Sequence, residues 1–312
     1  MQLRTASAFA PGGISSFFEI CDTDTNGKPL TDLNQIGSRG GGFVIEKGVR
    51  THVEVQDAKQ SSIQIFINGR LAPEAETSRT VANAILAKTN GEHKVTISHT
   101  IDIPIGAGFG TSAGGAIDTA LALSAALDLN LTFNDLGKIA HIAEIKCKTG
   151  LGTVGPIMLG GCILTVAPGA PGISVIDRIP LSQKYSVVTG VFGATPTKKI
   201  LASAEKRREV NKWGNKTLQQ ILEKPSLENF LTCCLNFAEK TGFMTERLKR
   251  LIQLAEKAGA IGSAQNMVGE AVHAVTRDEN AENVAEAFKQ ILPKEKIILA
   301  KIDFQGARLI EE

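Results

Sequence analysis

Aromatic side chains are scarce in this chain, with one Trp, one Tyr and 13 Phe among 312 residues. Platforms for stacking bases are therefore few. An excess of positive charge is missing too, since 34 Lys+Arg stand against 32 Asp+Glu and leave a formal net charge of +2. Such a chain has no electrostatic footprint for nucleic acid. The basic run Lys206-Arg207-Arg208 is flanked by Glu205 and Glu209 and reads as a solvated helix face. No apolar run approaches the roughly 18 residues that cross a bilayer. Met1-Gln-Leu-Arg-Thr-Ala lacks the apolar core of a signal peptide. A cytoplasmic protein without nucleic-acid or membrane partners is expected. The five cysteines (21, 147, 162, 233, 234) form no CxxC pair, and the five histidines show no zinc spacing. Buried reduced thiols are the default reading.

What the chain has is length and an ordinary apolar content, 43%, enough for two domains with their own cores. The first hundred residues read mostly as strands: Phe43-Val-Ile-Glu, Thr51-His-Val-Glu-Val, Ser62-Ile-Gln-Ile-Phe-Ile and Lys94-Val-Thr-Ile-Ser. Asn68-Gly69 signals a hairpin turn. Helices are expected at 77–88, 116–129 and 132–145, the last with Thr132 and Asp135 placed as a capping box. Beyond a strand at 186–191, helices are expected near 197–209, 215–223, 226–240, 244–258 and 281–291. A glycine-bearing segment at 259–269 and a strand at 296–302 complete the pattern. The fold class is α+β. The expected domains are 1–181 and 182–312, and no internal repeat is present.

The most informative segment is Pro104-Ile-Gly-Ala-Gly-Phe-Gly-Thr-Ser-Ala-Gly-Gly-Ala116. A strand-like stretch runs into it and an apolar helical pattern runs out. Gly106, Gly108 and Gly110 remove side chains where a ligand must approach the backbone. Thr111 and Ser112 stand where a helix begins, beside unpaired N–H groups that favour an anion. A Walker A loop is excluded, because no lysine follows Gly110. A dinucleotide fingerprint is excluded, because no second strand with a terminal acid follows. A phosphate cradle and a tight turn against a neighbouring helix both remain open from these residues alone.

Three separated motifs resemble those of the GHMP small-molecule kinases, and within them the archaeal pantoate kinases. They are Ala8-Phe-Ala-Pro-Gly-Gly-Ile-Ser-Ser-Phe-Phe18 with Gly37-Ser-Arg-Gly-Gly-Gly-Phe43, the glycine segment, and Ser263-Ala-Gln-Asn-Met-Val-Gly-Glu-Ala271. His141-Ile-Ala-Glu144, Lys148-Thr-Gly-Leu-Gly152 and Gly306-Ala307-Arg308 resemble the same branch. The resemblance implies a two-domain GHMP kinase fold, with a ribosomal-protein-S5-domain-2-like N-terminal domain and a ferredoxin-like C-terminal one. It implies ATP and Mg²⁺, a small-molecule alcohol as substrate, and leaves a homodimer open. Pro104, Gly106, Ala107, Gly108, Phe109, Gly110, Thr111, Ser112 and Ala113 would cradle ATP. Ser112 and Glu144 would hold Mg²⁺. Ser38, Arg39, His141 and Thr197 would meet the acceptor, with Ser38 and Arg39 in a turn between strands. A plain N-cap for Ser112 or Thr197, a surface position for Glu144 or Arg39, and a core position for His141 are the bland alternatives.

Three charged groups that relatives carry are missing. Thr153 stands where many members have a catalytic Asp, Thr165 where they have an Arg, and Gly13 where mevalonate-kinase-like members have a Lys. The resemblance then leaves three outcomes. The chain is a kinase acting on pantoate without a dedicated base, a GHMP kinase for another alcohol such as homoserine or a mevalonate-type acid, or a nucleotide-binding regulator without catalysis. Asp22, Asp24 or Lys198 could fill the vacancy near Thr153.

Overall fold

A computed structural model describes residues 3–193 and 203–311. Two long strands, β1 (Arg4–Cys21) and β2 (Gly37–Ala58), pair antiparallel and form the spine of an eight-stranded sheet. Pro11 and two glycines lie within β1, although a central strand disfavours both residue types. They sit at a register shift between Pro11 and Gly12, so the ladder is already interrupted there. One half of β2 pairs with β5 (Glu92–Ile101) and the other with β6 (Cys162–Ala167). β3 (Ser62–Ile67) runs parallel to β5 and turns through Asn68-Gly69 into β4 (Arg70–Leu71). Both turn residues have positive φ, 48° and 77°, as the hairpin signal requires. β7 (Val175–Ile179) flanks β6, and β12 (Arg308–Ile310) returns to β1.

Helices α1 (Glu76–Leu86), α2 (Thr111–Ala126), α3 (Phe133–Cys147) and α4 (Val154–Leu159) contribute to the core on one side of this sheet. α2 is buried almost all round, which is why its sequence is apolar without a polar face. The Thr132–Asp135 capping box of α3 is present. A second sheet has the order β11 (Ile297–Lys301), β8 (Tyr185–Gly193), β10 (Glu270–Arg277) and β9 (Gly262–Gln265). Around it lie α5 (Ala204–Glu223), α6 (Leu227–Lys240), α7 (Glu246–Lys257) and α8 (Ala281–Phe288). Phe17 and Phe43 from the first sheet meet Phe230 edge-on, and Phe17 also meets Phe237 of α6, so one apolar core joins the two halves.

Two expectations change here. The helices foreseen at 197–209 and 215–223 are, from Ala204 onward, the single helix α5. Gly214 does not break it. A side chain at 214 would collide with the Phe18 carbonyl, so the glycine lets α5 lie close against β1. The segment 259–269, read as glycine-bearing with no element assigned to it, contains β9, and β10 follows it directly. No helix among the described residues is long and apolar enough to cross a membrane.

Candidate active site

The glycine segment leaves β5 and enters α2 at Thr111. Gly106, Gly108 and Gly110 have φ of 79°, 81° and 64°, a region that only glycine adopts without strain. Ala107 and Phe109 are buried and anchor the loop, while Gly106 and Ile105 are exposed. Gly110 is the N-cap of α2 and has no side chain to bond the first turn. The N–H groups of Thr111, Ser112 and Ala113 thus head an uncapped helix that offers donors and a positive dipole end. The loop geometry fits a phosphate chain. Packing also constrains it, since a Cβ on Gly110 would lie 2.7 Å from Thr153 Cγ2.

Ser112 and Glu144 come together from α2 and α3. The Ser112 hydroxyl lies near enough to the Glu144 carboxylate to favour its charged form, and Thr149 Oγ1 donates to Glu144 Oε1 at 2.5 Å. Glu144 is 3% exposed, and burial raises its pKa against the lowering effect of both hydroxyls. A surface position is therefore excluded. Gly150 leaves room for Oε2, because a side chain there would collide with it. Among the described residues no group of three or more His, Cys, Asp or Glu could hold a metal. A hydroxyl and a carboxylate are the hard-oxygen donors that suit Mg²⁺, which completes its shell with water and substrate phosphates. Thr149 is the member of this cluster that motif reading passed over. Its position just past the end of α3, five residues after Glu144, was the available signal.

Next to the loop lies a cleft with an enclosed volume of ≈ 50 Å³, lined by Gly13, Ser38, Gly152, Thr153, Thr165 and the glycines at 40–42, among others. Gly13, Thr153 and Thr165, the three positions where the resemblance led us to look for a charge, all open onto it. Thr153 sits at the junction with the glycine loop, its Cγ2 close to Gly110 and 3.1 Å from where a Cβ on Gly13 would be. Gly152 yields space to the Ser38 hydroxyl.

Ser38 and Arg39 are not in a turn, as expected, but inside β2, paired with Ile20 and Glu19 of β1. The flanking glycines allow strand contact so close that a side chain at Gly42 would collide with the Ile14 carbonyl. Alternate residues of a strand face opposite ways. Phe43 and Leu164 enter one core, and Val44 and Ile163 the other. By the same alternation Ser38 and Thr165 face with Val44 and Ile163, and Arg39 faces away from them. Its guanidinium meets Glu19 at 2.6 Å instead. Arg39 borders the cavity with its charge paired to Glu19, so an acceptor contact by its side chain would have to displace that ion pair. His141 does not line the cavity. It is 1% exposed, with Nε2 2.9 Å from the Ile36 carbonyl, and burial lowers its pKa. As neutral imidazole it anchors the chain two residues before Ser38. Thr197 and Lys198 lie outside the described residues. Asp22 pairs with Arg207 at 2.5 Å, and Asp24 accepts from the N–H groups of Asn26 and Lys28, so both are engaged elsewhere.

Comparison with known proteins agrees with this geometry. Residues 76–161, which include the loop, Ser112, Glu144 and Thr153, match the GHMP kinases N terminal domain. Pantoate kinase of Thermococcus kodakarensis is 33% identical over 289 residues, 91% of this chain and 92% of that protein. The chain belongs to the pantoate kinase family. Pantoate kinase of Methanocaldococcus jannaschii is 30% identical over 90% of this chain and 96% of its own length. A solved structure described as a phosphotransferase related to the CoA biosynthesis pathway superposes with a TM-score of 0.87 at 29% identity, covering 98% of each chain.

Proposed function

We propose that this protein transfers the terminal phosphoryl group of ATP to the primary hydroxyl of pantoate, giving 4-phosphopantoate on a route to coenzyme A. The observation that carries it is the convergence at Thr153. There the cavity that would take the acceptor touches the loop that would take the donor. Loop amides around 106–113 hold the triphosphate, and Ser112 with Glu144 holds the Mg²⁺ that offsets its charge. Ser38, Thr153 and Thr165 offer hydroxyls to the acceptor. The acceptor oxygen forms a bond to phosphorus as the bond to the ADP oxygen breaks, and its proton leaves to a phosphate oxygen or to water. General-base help is typically worth about 10²–10⁴-fold, a small part of the roughly 10⁶-fold or greater total. Positioning and electrostatics therefore sustain the reaction without a carboxylate at 153. The reaction belongs in the cytoplasm, where ATP is supplied and the five free cysteines stay reduced.

A second reading has its own support. Arg39 is the one charged residue among the described residues lining the cavity, and its guanidinium is already paired with Glu19. An acceptor held by hydroxyls and backbone, such as another hydroxy acid of the homoserine or mevalonate type, fits that wall. ADP release from Mg-ATP with a panel of alcohols decides. Pantoate is expected to give turnover above every other acceptor. Turnover with a different acid alone replaces the acceptor, and nucleotide binding without turnover on any alcohol would overturn the kinase reading.

A further inference from the structure

β1 carries one residue too many where it passes the cavity. Ser15 stands opposite Gly42 and Phe17 opposite Gly41, so Ser16 has no partner across the ladder. Such a bulge re-aims a side chain. The Ser16 hydroxyl lies 2.9 Å from His273 Nε2 on β10, and His273 Nδ1 lies 2.9 Å from Asn266 Oδ1. Ser16, Asn266 and His273 are each 0% exposed. The Asn266 oxygen can only accept, so Nδ1 carries the imidazole hydrogen and the serine donates to Nε2. Burial pushes His273 down to about 3, which keeps the neutral form this arrangement needs.

The turn that begins at Asn266 is tied to the bulge a second time. The Met267 N–H donates to the Ser15 carbonyl at 2.7 Å. Its other side presses on the glycine loop. A Cβ on Gly108 would lie 3.2 Å from Asn266 Cβ, and one on Gly269 would lie 2.9 Å from the Ala107 carbonyl. The loop closes back on β1, where the Gly13 N–H donates to the Phe109 carbonyl at 3.0 Å. Bulge, turn and loop thus form a closed triangle. Asn266 Nδ2 is buried without a partner, a cost that an apolar residue would avoid.

We propose that Ser16, His273 and Asn266 form a buried strut that sets the glycine loop at a fixed distance from the acceptor wall, and that all three are positioning residues for phosphoryl transfer. The strut rests on the kinase reading of loop and cavity, and it assigns a task to side chains that touch neither substrate. A misplacement of about 1 Å costs up to about 100-fold in rate.

The test compares wild type with Ser16→Ala, Asn266→Ala and the double variant. Two things are read: steady-state kinetics with Mg-ATP and pantoate, and amide hydrogen exchange of residues 104–113 without substrate. In Ser16→Ala, kcat is expected to fall by about 10–100-fold with both KM values little changed. Exchange in 104–113 should quicken although the Ser16 hydroxyl bonds to His273 and not to the loop. The double variant should be no slower than the poorer single, because both break one chain. If Asn266→Ala does not fold, Ser16→Ala, which deletes one oxygen, carries the test. Unchanged loop exchange in a normally melting Ser16→Ala would overturn the strut. Absence of kinase activity in wild type would overturn the function instead, and the exchange result would still decide the strut.

Discussion

Glu144→Gln is expected to cut turnover by about 10²–10³-fold while the protein stays folded. The substitution keeps shape and one carbonyl oxygen but removes the charge that would hold Mg²⁺ beside Ser112. Ser112→Ala should lose a comparable factor, since it deletes the other donor, and unchanged activity would remove Ser112 from the site. Stability supplies a readout independent of rate. Burial raises the Glu144 pKa above its ordinary 4.5. Between the unfolded and folded values the native state holds the extra proton, so stability falls as pH rises through that window. The contribution is complete below about 4.5 and gone above the raised value. Glu144→Gln has no such loss. Without Mg²⁺ its melting temperature should therefore gain on wild type as pH is raised toward neutrality. Adding Mg²⁺ with a non-hydrolysable nucleotide should then stabilise wild type more than the variant. A variant that gains as much from Mg²⁺ as wild type would take Glu144 out of the metal site.

Thr153→Asp should raise turnover on pantoate by about tenfold or more, within the range of general-base catalysis. Thr and Asp branch at neighbouring atoms and have similar bulk. The new carboxylate would stand where Thr153 now meets Gly110 and Gly13, between loop and cavity. A rate limb at acid pH should appear that the natural protein lacks. A loss of activity with an unchanged KM for ATP would mean that the acceptor itself fills that corner, and a wider acceptor panel would then be the next measurement.

The loop was legible in the sequence because its signals are local. Glycines at alternating positions, a hydroxyl pair and an apolar run placed the start of α2, and Thr132 with Asp135 placed the start of α3. Asn68-Gly69 was equally local. Contacts set by register were not legible. Gly37 and Gly40 around Ser38 and Arg39 resemble a turn, yet they permit two strands to approach closely. Whether Arg39 faces the cavity depends on strand parity, which a single sequence does not fix. The bulge at Ser16 is visible only once β1 and β2 are paired, so His273 and Asn266 had no apparent task. The gap left between the helices expected at 197–209 and 215–223 illustrates the reverse error, since Gly214 inside it proves to be a close contact with β1 within one helix.

The pairing of β12 with β1 has a consequence for synthesis. Ser7 stands opposite Ile310 and Phe9 opposite Arg308. A strand made early is thus paired along this rim by residues made some three hundred codons later. Until then β1 offers a bare rim on which a second nascent chain could template. Protease digestion of chains stalled before and after codon 308 reads this directly. Equal resistance of β1 in both would mean that the last strand is ornament rather than closure.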